Sequence, residues 1–591
     1  MTDVPPPHSP LAWTDDGQPR SRLFGDVYFS AQDGLAETRT VFLEGCGLPQ
    51  AWAGRRRFTV GELGFGTGLN IAALLDLWRR EAPAGGRLHV FTVEGFPITA
   101  EEAGRALSRW PELAEAAQAL VSRWPGRARG VHRLELPEYA AIVDVAVGDV
   151  REALEGWTGR ADAWFLDGFS PALNPQMWSD EVLALVGARS APGARAATFT
   201  VAGQVRRGLA AAGFEVEKRP GFGRKRERLE ARRPGAPADF EPGRVAIVGA
   251  GIAGAAAARA VRALGGEALV FDAEGRGAGG SGNPAGLVTP RLDAGLGPPA
   301  QLFARAFARA VGLYEALPEA IVARGVLQLA SAERDPARFG KIAASDLFEP
   351  GALTLLEPAE AADRLGEPAP AALDQRPALV VDPARILAAW APDVRPARVA
   401  RIERADDGWR LMDPEGTEIV RAGAVILAAA LDSRDLAPDV PLQPVRGQAS
   451  WARGQSVGSA AAWGGYVLPT GEGVLFGATH DRDDAGRDLR PADHARNLET
   501  LARALPRLAA RLSQGPLEGR ASVRAVTPDR LPVAGGADGR FLLTGFGSRG
   551  LSMAPLLAEH VAALALGAPS PLTAAQQALV APDRFGRRVR S

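Results

Sequence analysis

Short apolar runs alternate with longer amphipathic segments along most of this chain. In its first half these runs are four to seven residues long and occupy residues 58–63, 88–94, 144–147, 163–166 and 194–200. Apolar runs of this length, separated by helix-like segments, are typical of an α/β fold with a doubly wound sheet. We therefore predict such a sheet over about residues 57–235.

A second series of the same kind begins after a stretch rich in Pro, Gly and Ala at residues 234–243. The apolar run 245–248 enters a glycine-rich turn and an alanine-rich helix, and the run 541–544 enters a helix through three glycines. The composition of the intervening stretch predicts a linker. The predicted organisation is a first domain at 1–235, a linker at 236–243 and a second domain at 244–591, with a substrate subdomain at roughly 300–520.

Composition narrows the class of protein. A chain of 591 residues is too long for one ordinary core, and 46% hydrophobic with 23% charged residues is normal for a soluble globular enzyme. The net charge of −1 excludes a general polyanion binder, so any affinity for nucleic acid must come from local patches. The single cysteine, Cys46, excludes a cysteine-based metal centre, and the six histidines lack ligand spacing, so we expect no metal.

Two further absences bear on location. No apolar run reaches the ~20 residues that span a bilayer, and the first residues lack the basic and apolar regions of a secretion signal. We therefore expect a cytoplasmic protein without a membrane segment, and a monomer.

The first glycine-rich loop follows the run 58–63 and has the E/D-x-G-x-G-x-G form of an S-adenosylmethionine loop, in which glycines let the backbone approach the cofactor closely. The candidate contacts in it are Glu62, Gly64, Phe65, Gly66, Thr67, Gly68 and Asn70. Glu94 ends the second run, where it would accept hydrogen bonds from both ribose hydroxyls, and Asp149 would contact an adenine amino group. Acids at strand ends also cap helices, and for each acid alone that alternative stays open.

Asp167 ends an apolar run and is followed by an aromatic residue and a proline-bracketed loop over 168–175. This arrangement is typical of amine-methylating sites, in which a neutral amine attacks the methyl group in line. A positioned carboxylate would orient the amine and accept its proton. We therefore predict Asp167 as the catalytic residue of the first domain, with a structural role as the alternative.

A basic hairpin closes the first half at residues 213–228. Its Pro-Gly and Gly residues predict the turn, and its cations are Lys218, Arg219, Arg224, Lys225 and Arg226. A charge run of this kind is by default a solvated surface. It would equally bind the phosphates of a nucleic acid, which is the function we predict for these five residues.

The second loop has the G-x-G-x-x-G form of a dinucleotide site, with Gly249, Gly251 and Gly254, and Asp272 follows at the distance expected of a ribose ligand. This motif alone leaves NAD possible. Flavin is favoured by the small-residue stretch 279–286, with Ser281 and Asn283, and by a strand-to-helix turn whose helix N-terminus would stabilise negative charge. That turn contains Gly547, Ser548, Arg549, Gly550 and Leu551. We predict FAD as the cofactor.

Arg524 and Tyr466 are the candidate substrate contacts of the second half. An arginine binds a carboxylate through two parallel hydrogen bonds, and a tyrosine hydroxyl adds a third. For Arg524 alone, a surface salt bridge is the alternative.

Taken in order, several motifs resemble the family of bifunctional tRNA 5-methylaminomethyl-2-thiouridine biosynthesis proteins, and the resemblance covers nearly the whole chain. The most specific motifs lie at residues 26–30, 34–39, 64–70, 164–171, 221–227 and 547–551. The second half alone resembles glycine and D-amino-acid oxidases. One departure is the run Ala428-Ala429-Ala430, where many related flavoproteins carry Ala-Thr-Gly.

The resemblance implies a Rossmann-like class I methyltransferase domain followed by a dinucleotide-binding FAD domain with an inserted α+β substrate domain. The implied substrate is tRNA whose wobble uridine bears a 5-carboxymethylaminomethyl group. The FAD domain would remove hydride from the methylene of the glycine-like arm, and hydrolysis of the imine would release glyoxylate. The first domain would then methylate the remaining 5-aminomethyl group with S-adenosylmethionine. Arg524 would hold the carboxylate of the arm and Asp167 the product amine.

Two alternatives remain at this stage. An amine oxidase fused to a small-molecule N-methyltransferase would keep both cofactors, and the basic hairpin argues against it. A non-catalytic tRNA-binding scaffold would have lost its cofactor loops, whereas both loops are intact here.

Overall fold

The computed structural model of the chain describes residues 9–223, 225–237 and 243–586. The chain divides into two compact units: unit 1 comprises Met1–Pro242 with Pro569–Ala574, and unit 2 comprises Gly243–Ala568 with Ala575–Ser591. None of the helices in the described part of the chain is long and apolar enough to cross a bilayer.

Unit 1 is built on a sheet with helices between its strands. Its strands are β1 (Leu11–Trp13), β2 (Pro19–Ser21), β3 (Arg57–Leu63), β4 (Arg87–Glu94), β5 (Gly130–Leu136), β6 (Ala141–Val147), β7 (Ala161–Leu166), β8 (Ser190–Thr198), β9 (Glu215–Pro220) and β10 (Glu227–Arg232). Its α-helices are α1 (Gly34–Glu37), α2 (Leu69–Glu81), α3 (Ala100–Leu107), α4 (Ala114–Val121), α5 (Val150–Gly156), α6 (Asp180–Ala188) and α7 (Gly203–Ala211).

The order of the strands in this sheet places the candidate site. The order is β5-β6-β4-β3-β7-β8-β10-β9, and β6, β4, β3, β7 and β8 run parallel. The central strands β3, β4, β6 and β7 are buried along nearly their whole length, as expected of parallel strands covered on both faces. The chain moves outward from β3 first through β4 and later through β7, so the crevice at the carboxyl end of β3 is the expected ligand site.

A short segment from far along the sequence completes unit 1. A guanidinium nitrogen of Arg133 donates to the carbonyl oxygen of Pro569 at 3.3 Å. A Cβ on Gly156 would lie 3.2 Å from the side chain of Thr573. Nothing in the apolar pattern indicates that the segment Pro569–Ala574 belongs to this unit.

Unit 2 contains a second α/β sheet and a larger, mixed sheet. Its strands are β11 (Arg244–Val248), β12 (Glu267–Asp272), β13 (Gly286–Val288), β14 (Ile321–Leu329), β15 (Leu353–Leu356), β16 (Ala372–Val381), β17 (Val394–Pro396), β18 (Arg401–Ala405), β19 (Gly408–Met412), β20 (Glu418–Ala422), β21 (Ala424–Leu427), β22 (Gln443–Arg453), β23 (Ala460–Ala462), β24 (Tyr466–Thr470), β25 (Gly473–Gly477), β26 (Asp481–Arg482), β27 (Glu518–Val526), β28 (Val533–Ala537) and β29 (Arg540–Thr544). Its α-helices are α8 (Ile252–Ala263), α9 (Pro298–Glu315), α10 (Asp335–Ala343), α11 (Pro358–Leu365), α12 (Pro383–Trp390), α13 (Ser433–Leu436), α14 (Pro491–Ala504), α15 (Pro506–Leu512) and α16 (Gly550–Ala565), and α17 (Ala574–Val580) begins at its boundary.

The two main sheets of unit 2 are interleaved along the sequence. The first has the order β17-β12-β11-β21-β29-β28, with β11 parallel to both of its neighbours. The second has the order β13-β16-β14-β23-β24-β25-β22-β26, with β15 paired to β16 and β27 to β22. Because β17 and β21 return to the first sheet, the stretch 300–520 supplies strands to both sheets.

Candidate active sites in the two units

The loop that joins β3 to α2 in unit 1 favours glycine at three positions. Gly64, Gly66 and Gly68 have φ angles of 89°, 53° and 76°, in the left-handed region that other residues rarely adopt. A Cβ on Gly68 would also lie 2.9 Å from the side chain of Leu120. The turn is therefore held open at the carboxyl end of β3, where an S-adenosylmethionine loop is expected.

Glu94 is fixed at the end of the neighbouring strand β4. Its two carboxylate oxygens accept the backbone N–H groups of Gly66 and Phe96, each at 2.8 Å. Burial raises the pKa of this carboxyl group. A carboxylate has about four acceptor positions, so both oxygens keep capacity for the ribose hydroxyls, and the arrangement fits the predicted cofactor.

Asp149 and Glu62 make other contacts. One oxygen of Asp149 accepts the backbone N–H groups of Arg151 and Glu152, so this side chain caps α5. Glu62 is fully buried and accepts from the hydroxyl of Thr92 at 2.7 Å, and burial raises its pKa well above the usual range. For both acids, direct contact with the cofactor stays a prediction.

Asp167 stands at the end of β7 in a chain of hydrogen bonds. Its Oδ2 accepts from the side-chain amide of Asn70 and its Oδ1 from the backbone N–H of Gly168, both at 2.8 Å. Asn70 in turn accepts from the hydroxyl of Thr38 at 2.8 Å. Burial raises the pKa of Asp167 to about 6, against the opposing effect of these donors. The carboxylate is therefore oriented and also basic enough to take a proton, as a general base requires.

An aromatic cluster covers the Asp167 loop, and the sequence analysis assigned no role to it. The ring of Phe169 lies 5.0 Å from that of Phe24 and 5.3 Å from that of Tyr28. Asp26 accepts the backbone N–H of Ser170 at 2.9 Å, which ties residues 24–28 to the loop. The motif at residues 26–30, which contributed to the family resemblance, is the sequence signal for this contact.

Most cations of the basic hairpin bind carboxylates of unit 1. Lys218 pairs with Glu227 at 2.7 Å, and Arg219 pairs with Glu217 at 2.6 Å. These pairs are exposed, where such interactions contribute little. Arg226 forms no ion pair with any described residue, and Arg224 lies outside the described residues. Contact of these four residues with tRNA stays a prediction.

Lys225 is held close to the methylation site. Its Nζ lies 2.9 Å from Glu37 and 3.9 Å from the centre of the Phe199 ring. Its charge lowers the pKa of Asp167, whereas the charge of Glu37 raises it. The structure thus gives Lys225 a local partner, and its predicted contact with tRNA is untested.

The glycines of the second loop leave no room for side chains. A Cβ on Gly249 would lie 2.5 Å from the carbonyl oxygen of Ala428, and a Cβ on Gly254 would lie 1.8 Å from that of Gly249. Both approaches are far inside van der Waals contact. The tight turn between β11 and α8 is therefore the close-packed turn of a dinucleotide site.

Asp272 and Ser281 stabilise this turn through hydrogen bonds to backbone N–H groups. Asp272 accepts the backbone N–H groups of Ala250, Glu274 and Gly275 at 2.7–2.9 Å. The hydroxyl of Ser281 accepts the N–H of Ile252 at 3.0 Å, at the first turn of α8. These contacts hold the loop in a shape that fits the FAD predicted from the sequence.

A cavity of about 850 Å³ in unit 2 brings together residues predicted from distant parts of the sequence. Its volume is within the range of cofactor and ligand sites. The predicted site residues that line it are Gly251, Ser281, Asn283, Tyr466, Arg524, Gly547, Ser548, Arg549, Gly550 and Leu551. Gly249, Gly254 and Asp272 do not line it and instead shape the turn behind it.

Arg524 of β27 lines this cavity. Its guanidinium group forms no ion pair with a carboxylate of any described residue. Its guanidinium donates to the carbonyl oxygens of Arg446 and Thr479 at 3.4 and 3.3 Å. A Cβ on Gly447 would lie 2.2 Å from the guanidinium nitrogens, so glycine at that position makes room for them. Arg524 is half-buried, and Asp481 acts on its charge without forming an ion pair, so part of the cost of desolvating the cation is not offset. An anionic ligand in the cavity would remove that cost.

Tyr466 complements this arginine. It lines the same cavity, and burial raises the pKa of its hydroxyl, which keeps the group protonated and able to donate. Gly447 and the cavity residue His480 were missed by the sequence analysis, because the pairing of β22 with β27 cannot be read from local pattern.

These two sites define a methyltransferase unit joined to a flavin-dependent oxidoreductase unit. Residues 111–234 match the family described as S-adenosyl-L-methionine-dependent methyltransferase, and residues 244–564 match the family described as FAD dependent oxidoreductase. The chain is therefore an enzyme with two activities that uses S-adenosylmethionine and FAD. It belongs to the family of tRNA 5-methylaminomethyl-2-thiouridine biosynthesis bifunctional proteins, MnmC.

Three relatives carry that name. The protein of Caulobacter vibrioides is 62% identical over 99% of this chain and 98% of its own length. The protein of Caulobacter sp. strain K31 is 60% identical over 99% of each chain, and that of Maricaulis maris is 44% identical over 98% of this chain and 96% of its own. The fold class, the two cofactors and the bifunctional enzyme predicted from the sequence are thereby confirmed.

Proposed function

We propose that this enzyme converts the 5-carboxymethylaminomethyl group of a tRNA wobble uridine into 5-methylaminomethyl in two reactions. The proposal rests on Arg524, a half-buried cation that forms no ion pair with any described residue, in a cavity lined by the dinucleotide loop. A substrate arm that ends in a carboxylate supplies the missing partner. Membership of a family named for tRNA modification supports a tRNA-borne arm.

The first reaction removes the carboxymethyl group. Arg524 binds the carboxylate of the arm and Tyr466 donates a further hydrogen bond to it, which fixes the methylene next to the amine. FAD, when bound by the loop after β11, would supply the oxidant for that methylene and accept its hydride. The proton of the nitrogen would pass to water, and a further water molecule would hydrolyse the imine to glyoxylate and 5-aminomethyluridine.

The second reaction methylates the primary amine that remains. Asp167, held by Asn70 and Gly168, orients the amine and accepts its proton as nitrogen attacks. Bound S-adenosylmethionine supplies the methyl group. Glu94 and the glycine loop after β3 hold that cofactor at the carboxyl end of the sheet.

We further propose that the enzyme acts as a monomer in the cytoplasm, where its tRNA substrate occurs. The cations Lys218, Arg219, Arg224, Lys225 and Arg226 of the hairpin remain candidates for phosphate contacts near the methylation site. A small-molecule oxidase fused to an N-methyltransferase is the competing function.

Nucleoside mass spectrometry of tRNA bearing 5-carboxymethylaminomethyluridine tests the proposal. Without S-adenosylmethionine we expect loss of the carboxymethyl mass, and with it the further gain of one methyl. D167N should stop at 5-aminomethyl, and R524Q should fail in the first step yet still methylate tRNA supplied as 5-aminomethyl. An unchanged nucleoside, with free glycine or sarcosine consumed instead, would establish the competing function.

A further inference from the structure

Three arginines, one in the lining of the oxidase cavity and two within electrostatic reach of the lining residue His480, take no part in the reaction described above. Arg291 lines the cavity, and its guanidinium donates to the carbonyl oxygen of Arg530 at 3.0 Å. Arg482 and Arg530 lie within electrostatic reach of His480, a residue of the cavity lining; partial desolvation, Arg524 and these two arginines lower the pKa of His480, and Asp481 raises it. At His480 the charges of three arginines therefore oppose that of one acid.

Of the acids next to these arginines in sequence, Asp481 and Asp529 pair with other residues, whereas the exposed Asp483 forms no ion pair with any described residue. Asp481 precedes Arg482 but pairs with Arg496 at 2.7 Å. Asp529 precedes Arg530 but pairs with Arg584 at 2.9 Å. Within the described residues, none of these three arginines forms an ion pair, although many exposed arginines of unit 2 do.

The backbone of Arg530 has an uncommon conformation. Its φ of 59° lies in the left-handed region, which is uncommon for a residue other than glycine. The conformation is held by its own N–H, which donates to the carbonyl oxygen of Thr527 at 3.0 Å, and by the Arg291 contact at its carbonyl. Unfavourable backbone conformations of this kind concentrate at functional sites.

We propose that Arg291, Arg482 and Arg530 bind the phosphodiester groups that flank the modified nucleotide of tRNA. The inference rests on the proposed function. When the carboxylate of the arm reaches Arg524 inside the cavity, the ribose and its phosphates stay outside it, and these arginines are exposed or half-buried. Arginine is well suited to phosphate because its planar donors bind two oxygens at once.

Salt-dependent binding tests the inference. R482Q, R530Q and the double variant are compared with R398Q, which removes an exposed arginine between β17 and β18 that neither lines the cavity nor pairs with any described residue. Affinity for tRNA bearing the carboxymethylaminomethyl group is measured from 50 to 200 mM salt. Because each phosphate contact contributes about 0.7 to the logarithmic slope, the wild-type affinity should fall about sevenfold more over this range than that of the double variant.

Oxidation kinetics provide the second readout. The double variant should raise KM for tRNA and leave kcat unchanged, and it should oxidise the free 5-carboxymethylaminomethyl nucleoside as the wild type does. R398Q should change none of these quantities. Equal salt slopes for wild type and double variant, or equal losses on tRNA and nucleoside, would overturn the inference. A wild type that binds tRNA through these arginines yet leaves it unoxidised would instead overturn the proposed function.

Discussion

Asp167 shows how one residue can be placed from sequence while its chemistry depends on distant neighbours. Its position after an apolar run predicted a strand end and a catalytic carboxylate. Its pKa is raised by burial and by Glu37 on α1, and it is lowered by Asn70 on α2 and by Lys225 in the loop before β10. Those contacts depend on tertiary packing, so local pattern could not supply them.

The pH dependence of methylation follows from these neighbours. Since Asp167 must be ionised to accept a proton, the rate on 5-aminomethyl tRNA should fall as pH decreases through about 6. K225M should raise the pH at which the rate falls, because the charge of Lys225 lowers the pKa of Asp167. E37Q should lower that pH, because the charge of Glu37 raises the pKa of Asp167. Two other acids lie near Asp167: the buried Glu62 interacts with its carboxyl group, and Asp26 binds its loop. Both acids are left unchanged in these two variants. Shifts of the same sign in both variants would contradict this account.

The ionisation of Asp167 has opposite effects on the methylation rate and on the free energy of unfolding: the rate rises with pH, and the stability falls. Its folded pKa is raised above the ordinary value of 3.8, so its contribution to stability is complete below about pH 4 and is lost as pH rises through 6.

Ala430 allows a stability prediction. It occupies the last position of the run in which related flavoproteins carry Ala-Thr-Gly, and its φ is 49°. A Cβ in the left-handed region costs about 1–2 kcal/mol, and the extra chain entropy of glycine offsets part of this. A430G should therefore raise the free energy of unfolding by about 0.5–1 kcal/mol in urea titration of the holoenzyme. A428G, at a buried position without positive φ, should lower it, and a loss in A430G would refute the argument.

Elements with strong apolar pattern were predicted well, and those defined by partners elsewhere in the sequence were not. The five predicted runs of the first half overlap β3, β4, β6, β7 and β8, and the predicted hairpin corresponds to β9 and β10. The antiparallel strand β5 carries little apolar pattern and was missed. The register of β22 against β27, which sets Gly447 beside Arg524, depends on strands far apart in the chain.

Three helices of unit 2 share a buried ion cluster. Glu559 of α16 accepts hydrogen bonds from Arg259 of α8 and from Arg309 of α9, the latter at 2.6 Å. E559Q would leave both guanidinium groups without this carboxylate and should cost about 3 kcal/mol. Thermal unfolding of the FAD unit measures the loss. The exposed pair of Glu315 and Arg324 is the control, since E315Q should change stability by less than about 1 kcal/mol; equal effects would show that burial is not the cause.

At the scale of the whole molecule, each unit carries its own complete cofactor loop, which is why the sequence alone indicated two reactions. The sequence could not show that unit 1 includes a segment beyond residue 568, because that segment is too short to carry a pattern of its own.

The two activities should therefore be separable by one substitution. G254A places a Cβ where the structure leaves 1.8 Å to a carbonyl oxygen, so the variant should purify without yellow colour and without oxidase activity. Methylation of supplied 5-aminomethyl tRNA should continue at close to the wild-type rate. G340A, on an open face of α10, should stay yellow. Loss of methylation in a folded, colourless G254A would show that the units depend on each other.

The segment Pro569–Ala574 bears on how such an enzyme can be divided. Its contacts with Arg133 and Gly156 belong to the methyltransferase, yet it is translated after almost all of the oxidase. If the gene were divided at the linker, the methyltransferase would lack the segment Pro569–Ala574, and the oxidase would keep it. A stand-alone methyltransferase would therefore have to keep this segment or replace its contacts.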